Sequence, residues 1–88
     1  MKSVILFWSS HCPECPAVRE GLDAAGIKRA EIDVTSGMTP LKQFLKYRDH
    51  DPHFAEVRES GRVGVPSIVV NKGEEVYFGL PEDLDVLR

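Results

Sequence analysis

The chain contains two cysteines, Cys12 and Cys15, which are separated by two residues. Two thiols at this spacing suit thiol–disulfide exchange, in which a thiolate attacks a disulfide, or the binding of a metal ion. In the cytoplasm, where thiols are kept reduced, such a pair is more often catalytic or metal-binding than a structural disulfide. The two cysteines are therefore the candidate reactive centre of the chain.

The segments around the cysteines predict a strand, a short loop and then a helix. Residues 3–8 are nearly all apolar and rich in β-formers, which is typical of a buried strand. Residues 13–25 carry apolar side chains at helical spacing, so the predicted helix begins directly after Cys12. Unpaired N–H groups and the positive end of the helix dipole favour a thiolate there. This placement predicts Cys12 as the attacking thiolate and Cys15, one turn further in, as the shielded resolving thiol.

Four neighbouring side chains are expected to modify this centre. A protonated His11 would stabilise a thiolate at Cys12, whereas Glu14 would oppose it, because a nearby like charge disfavours the anion. Pro13 suits the first helical turn, where its missing N–H costs little. Pro16 disfavours helical conformation in the residue before it, so some distortion of the first turn is expected.

The rest of the chain alternates between strand and helix patterns. Residues 30–34 predict a second strand, which is parallel to the first because a helix connects the two. A crossover of two helical pieces, broken near residues 49–52, leads to strands at 67–70 and 75–78, which form an antiparallel hairpin. A last short helix begins at Pro81. The predicted order is βαβαββα with a broken second helix.

Glycine and proline positions predict where helices begin and end. Gly26 is placed as a left-handed cap of the first helix. Thr39–Pro40 and Asp51–Pro52 each combine an N-cap residue with proline at the first helical position, so each predicts a helix start. The large side chains predicted to lie in the core by default include Phe44, Phe54 and Phe78.

Length and composition indicate one globular domain over residues 1–88, because a chain of 88 residues can bury only one modest core. The net charge is −3 and no cluster of Lys or Arg stands out, which argues against nucleic acid or an anionic membrane as the main partner. No apolar segment is as long as the core of a signal peptide or a transmembrane helix. We therefore expect a cytoplasmic protein that is present as a monomer.

Three features together resemble a glutaredoxin, a member of the thioredoxin-fold superfamily. They are the Cys-Pro-Glu-Cys motif at residues 12–15 after a strand, Val65-Pro66 before another strand, and Gly79 followed by Asp83. The element order matches over essentially the whole chain. The middle of the chain, at residues 48–66, resembles a bacterial glutaredoxin-related subgroup more than a standard glutaredoxin.

The resemblance implies an α/β, thioredoxin-like fold with a four-stranded mixed sheet in the order 2-1-3-4 and helices on both faces. It implies a thiol–disulfide oxidoreductase that uses Cys12 and Cys15. It also implies a cis peptide bond between Val65 and Pro66, located beside Cys12. The backbone of Val65 would then offer an N–H and a C=O to an extended substrate.

The substrates implied by the resemblance are protein disulfides or glutathione mixed disulfides, with glutathione as a candidate reductant or co-substrate and no bound cofactor. Ser9 stands where glutaredoxins usually have a lysine, and Leu80 stands where they have a second glycine. These departures predict a dithiol route rather than a route through glutathione alone. The residues expected to contact substrate are His11, Pro13, Glu14, Val65, Pro66 and Asp83.

Two alternatives remain open at this stage. Cys12, Cys15, His50 and His53 have the number of ligands of a zinc site, although the histidines flank a predicted helix start and this segment is expected to lie far from Cys12. An iron–sulfur cluster normally needs four thiolates, so it would require a dimer or added glutathione. We expect no bound metal. The alternative function is a metal-binding or partner-docking module whose cysteines do not turn over.

Overall fold

The computed structural model describes residues 2–88. Four strands and three α-helices form the fold: β1 (Val4–Trp8), α1 (Cys15–Ala24), β2 (Ala30–Asp33), α2 (Met38–Arg48), α3 (Ala55–Ser60), β3 (Ser67–Val70) and β4 (Glu75–Tyr77). Short 3₁₀ turns are found at Pro52–Phe54, Asn71–Gly73 and Leu84–Leu87. In this part of the chain, no helix has the length and apolar character needed to cross a membrane.

The four strands form one mixed sheet in the order β2-β1-β3-β4. β1 is parallel to β2 and antiparallel to β3, and β3 pairs with β4 as an antiparallel hairpin. This arrangement confirms the predicted α/β, thioredoxin-like fold and its strand order. It places the carboxyl end of β1, where the cysteine loop begins, at the middle of the sheet.

Both faces of the sheet are covered by helical elements, as predicted. Side chains alternate along β1, so Leu6 and Phe7 belong to opposite faces. Leu6 packs in a cluster with Leu22 of α1, whereas Phe7 packs in a cluster with Phe44 of α2. A strand that is covered on both sides explains why residues 3–8 are nearly continuous in apolar residues.

The first helix is shorter than predicted, because it begins at Cys15 rather than at residue 13. Pro13 lies in a turn before the helix, and Pro16 takes a position in the first helical turn. No intrahelical bond is lost there, since the first N–H groups of a helix have no partner within it. The other end agrees with prediction: Gly26 has a φ of 67° and follows the last turn as a left-handed cap.

The crossover between β2 and β3 is broken where predicted. Asp51 caps the 3₁₀ turn by accepting a hydrogen bond from the backbone N–H of His53 at 2.8 Å. Arg58 of α3 donates hydrogen bonds to the carbonyl oxygens of Arg48 and Asp51 at 2.8 and 2.9 Å. These bonds connect α3 to the backbone at the break between the two helices. The prediction for Thr39 is wrong, because α2 begins at Met38 with no side-chain cap.

The end of the chain also differs from the prediction. β4 ends at Tyr77, so Phe78 lies outside the strand. The last element is a single 3₁₀ turn, Leu84–Leu87, and not a helix that begins at Pro81. Asp83 starts this turn, because its carboxylate accepts a hydrogen bond from the backbone N–H of Asp85 at 3.0 Å.

Candidate active site

Cys12 lies in the loop between β1 and α1 and is partly exposed, whereas Cys15 is completely buried. Two backbone hydrogen bonds shape the loop. The N–H of Cys12 donates to the carbonyl oxygen of Ser9 at 3.1 Å, and the N–H of Cys15 donates to the carbonyl oxygen of Cys12 at 3.4 Å. Both cysteines are free thiols. The loop therefore presents one thiol at the surface and keeps its neighbour inside the protein.

The electrostatic environment separates the two thiols further. Burial raises the pKa of the Cys15 thiol to about 12, and hydrogen bonding with Cys12 together with the nearby charge of Glu14 adds to the effect. Burial is the main cause, because a thiolate that is removed from water loses its solvation. At neutral pH Cys15 thus holds its proton, in contact with the sulfur of Cys12.

Ser9 anchors the cysteine loop to the end of β2. Its side chain is buried, and its Oγ accepts a hydrogen bond from the backbone N–H of His11 at 3.0 Å. The Ser9 hydroxyl also bonds the Oγ1 of Thr35 at 2.9 Å, and Thr35 donates onward to Asp33 Oδ1 at 2.6 Å. These hydrogen bonds from Thr35 hold the pKa of Asp33 below its ordinary value. Ser9 therefore has a structural role, at a position where the resemblance to glutaredoxins predicts a lysine.

The second wall of the site is the loop between α3 and β3. The peptide bond between Val65 and Pro66 is cis, and Pro66 is buried. Gly64 has a φ of 106°, and a Cβ there would lie 3.2 Å from Val57 Cγ1 and 3.3 Å from Phe44 Cζ. Only glycine fits this position without a shift, because both the backbone conformation and the packing exclude a side chain. The loop can thus lie close against α2 and α3.

Arg48 fixes the same loop from the end of α2. Its guanidinium donates to the carbonyl oxygens of Arg62 and Val63 at 2.6 and 2.8 Å. A weaker contact at 3.4 Å joins it to the carboxylate of Asp49. The loop that faces Cys12 is therefore held by charge-assisted hydrogen bonds as well as by packing.

Two grooves meet at Cys12. The larger has a volume of about 420 Å³, and the predicted residues that line it are Cys12, Pro13, Glu14, Val65 and Pro66. The smaller, of about 340 Å³, shares Cys12 with the first and is also lined by His11 and Thr35. The structure thus brings together all the predicted contact residues except Asp83.

Asp83 lines neither of these two grooves. Its carboxylate caps the last 3₁₀ turn instead. The other predicted residue that lines no groove is Cys15, which is buried behind Cys12. A role for Asp83 in substrate binding stays a prediction that the resemblance alone supports.

Sequence reasoning did not assign to the site the other six residues that line the larger groove, which are Val57, Gly61, Arg62, Val63, Gly64 and Phe78. Phe78 was assigned to the core, but 47% of its surface is exposed. Because side chains alternate along β4, Phe78 lies on the same face of the sheet as Val76. Its position at the end of the predicted strand was a sign that its ring could lie at the edge of this face rather than in the core. Nothing in the local sequence indicates that Arg62 and Val63 line a groove with Cys12, because residues far apart in the chain form this groove.

The zinc alternative is not supported by the arrangement of side chains. Among residues 2–88, no group of three or more His, Cys, Asp or Glu side chains is close enough to share a metal ion. His53 is paired with its own N-cap, since its Nδ1 lies 2.7 Å from Asp51 Oδ1. The two cysteines and the two histidines thus do not converge on one site.

Three comparisons place the chain among known proteins. The family model described as Glutaredoxin matches residues 4–76. A curated relative from Haemophilus influenzae (strain ATCC 51907 / DSM 11121 / KW20 / Rd), named "Uncharacterized protein", is 29% identical over 76 residues, which cover 86% of this chain and 88% of the relative. Among solved structures, the crystal structure of StoA from Bacillus subtilis is 19% identical, with a TM-score of 0.42 and coverage of 99% of this chain and 79% of that one.

Proposed function

The chain belongs to the glutaredoxin family, and from this premise we propose that it reduces disulfides through a dithiol formed by Cys12 and Cys15. The observation that carries the proposal is the asymmetry of the two thiols. Cys12 is partly exposed where two grooves meet, whereas Cys15 is buried in contact with it and has a pKa of about 12. A substrate can therefore reach only the thiol of Cys12, whereas Cys15 stays protonated until a later step.

In the proposed reaction, the Cys12 thiolate attacks one sulfur of a substrate disulfide. A Cys12–substrate disulfide forms, and the other substrate sulfur leaves as a thiolate. Cys15 then loses its proton and attacks the Cys12 sulfur, which releases the second substrate thiolate and leaves a Cys12–Cys15 disulfide. Two electrons pass from the dithiol to the substrate, and a thiol reductant of the glutathione class would restore the dithiol.

The state of Cys15 changes in a way that suits this order of steps. Two of the causes that raise its pKa, the hydrogen bond and the charge, come from Cys12. Once Cys12 is bonded to substrate it no longer carries a negative charge, so deprotonation of Cys15 becomes easier at the step that needs it. Before that step, the raised pKa limits the reaction of Cys15 with other oxidants.

The structure favours protein disulfides over glutathione as the main substrate class. Ser9 is neutral, and its buried hydroxyl is already hydrogen-bonded within the loop, so this position offers a glutathione carboxylate neither a charge nor a free donor. Glu14 and Arg62 both line the larger groove, and Glu14, two residues from Cys12, adds a negative charge near the thiol that an anionic tripeptide would meet. Glutathione remains a candidate reductant, and we propose the cytoplasm, with its reducing thiol pool, as the compartment.

A redox titration tests whether the cysteines turn over. We expect a reversible two-electron couple with a potential between roughly −270 and −120 mV. The fraction of oxidised protein is measured in defined thiol–disulfide buffers by alkylation of the free thiols and mass spectrometry. Cys15→Ala, which lacks the second thiol, should show no such couple. Stoichiometric metal that a chelator removes, with no intramolecular disulfide in the oxidising buffers, would instead support a metal-binding module.

A further inference from the structure

Phe78 is an exposed aromatic side chain with a rigid base. Its ring packs edge-on against Phe54, with ring centres 5.0 Å apart and an interplanar angle of 89°. Phe54 is completely buried and packs in turn on Phe44, at 6.0 Å and 78°. A ring that is anchored in this way loses little conformational freedom when a ligand covers it.

The exposed part of this ring belongs to the same groove as the candidate nucleophile. Phe78 and Cys12 both line the larger groove, together with Val63, which is 60% exposed. A polypeptide that is joined to Cys12 by a disulfide must leave Cys12 through the space around it. A bulky apolar side chain near the substrate cysteine could then cover Phe78 and Val63 and remove both from water.

Charges on the groove walls indicate the class of occupant. Glu14 and Arg62 both line the groove and have opposite signs. The Nε of Arg62 donates a hydrogen bond to Ser60 Oγ at 2.9 Å. Arg62 suits an extended segment that carries an acidic group some distance from its cysteine. Glu14 disfavours an acidic group directly beside that cysteine. Glutathione has no apolar side chain that could cover Phe78.

From this arrangement we infer that the preferred substrate is a protein segment with a large apolar residue close to its reactive cysteine, and that Phe78 determines this preference. The inference rests on the proposed function, since it names the substrate class of the same site. It is independent of the identity of any particular partner. It predicts selectivity between peptides of equal charge and length.

The test uses two peptides that differ only in having Phe or Ser beside their single cysteine, each as a mixed disulfide with thionitrobenzoate. Attack by Cys12 forms a Cys12–peptide disulfide and releases the coloured thiolate, so the release rate measures recognition of the peptide. With the full chain, we expect the Phe peptide to react about tenfold faster than the Ser peptide, in line with one aromatic contact. Phe78→Ala should reduce the ratio to about one, because the Phe peptide loses its aromatic contact and the Ser peptide has none to lose.

Two further variants make the result decisive. Phe78→Leu keeps an apolar side chain on Phe54, so it should fold like the wild type and keep part of the preference. Met38→Ala is the matched control, because Met38 is 69% exposed and lines neither groove at Cys12. Its ratio should equal that of the wild type. Urea unfolding of each variant separates a loss of recognition from a loss of structure.

The outcomes distinguish this inference from the function on which it rests. Equal rates for the two peptides with the wild type, or an unchanged preference in folded Phe78→Leu and Phe78→Ala, would overturn the role of Phe78 while Cys12 chemistry stands. Release of thionitrobenzoate by Cys12→Ser at the wild-type rate would overturn the proposed function itself, and the inference with it.

Discussion

Cys12→Ser is expected to lower the reduction of protein disulfides to the uncatalysed background, a loss of at least about a thousandfold. A serine hydroxyl cannot form a disulfide with the substrate, and Cys15 cannot replace Cys12, because it is completely buried. The measurement is the initial rate of insulin reduction with excess dithiothreitol. Fold should be preserved, since Cys12 is partly exposed and the substitution changes one atom.

The control for this experiment is Met38→Ala, which changes an exposed apolar side chain that lines neither groove. Its rate should match that of the wild type. If Cys12→Ser keeps more than about a tenth of the wild-type rate, the attacking group lies elsewhere, and Cys12 is not the nucleophile.

The second large effect concerns the reactivity of Cys15. In folded Cys12→Ser, we expect iodoacetamide to modify Cys15 at least about a hundredfold more slowly at pH 7 than it modifies an ordinary thiol. Because the pKa of Cys15 is raised, far fewer Cys15 side chains are thiolates at this pH than the roughly 3% expected of an ordinary thiol. Loss of Cys12 removes two of the causes of the raised pKa, but burial, the largest, remains.

The rate at which iodoacetamide modifies Cys15 should depend on pH in a way that reveals the raised pKa. Because the pKa is raised, the rate should rise by about tenfold per pH unit from pH 6 to pH 9 without a plateau, whereas an ordinary thiol levels off near its pKa of about 8.5. The same variant in 8 M urea is the control, and there the rate should match that of an ordinary thiol. A plateau below pH 8 in the folded protein would show that Cys15 is readily ionised, and the division of roles would be wrong.

Local patterns were sufficient to predict most elements of the fold. The apolar run before Cys12 is β1, Gly26 caps α1, and Asp51 caps the broken crossover. Each of these depends on a preference that acts within a few residues, such as a left-handed φ or a side-chain oxygen that accepts from a nearby N–H. The strand order was supplied by the resemblance to a known family and not by any pattern in the chain.

The errors come from positions where two local preferences compete. Pro13 and Pro16 each suit the first turn of a helix, and α1 begins at Cys15, so Cys12 lies three residues before the helix rather than directly before it as predicted. Phe78 has the composition of a core residue, but β4 ends one residue earlier and leaves its ring partly exposed. Hydrophobicity alone does not distinguish a core residue from one at the margin of a groove.

The residues of the candidate site that belong to a short sequence motif could be predicted. The residues that only the folded structure brings to the site could not. The residues at 12–14 and 65–66 were named from the sequence and line one groove. The support given by Ser9 and Arg48 was missed, because Ser9 bonds a residue at the end of β2 and Arg48 bonds carbonyl groups of a distant loop. Such partners are determined by the folded arrangement and not by sequence spacing.

The central claim, a dithiol mechanism in which Cys12 attacks and Cys15 resolves, is tested most directly by mass spectrometry of Cys15→Ser after incubation with a protein disulfide. Without Cys15 the Cys12–substrate disulfide cannot be resolved internally, and internal attack is normally favoured by an effective concentration of about 10⁵ M or more. The account predicts that a covalent adduct accumulates on Cys12 in Cys15→Ser and not in the wild type, and that protein disulfide turnover stops. Full turnover by Cys15→Ser without any adduct on Cys12 would contradict it.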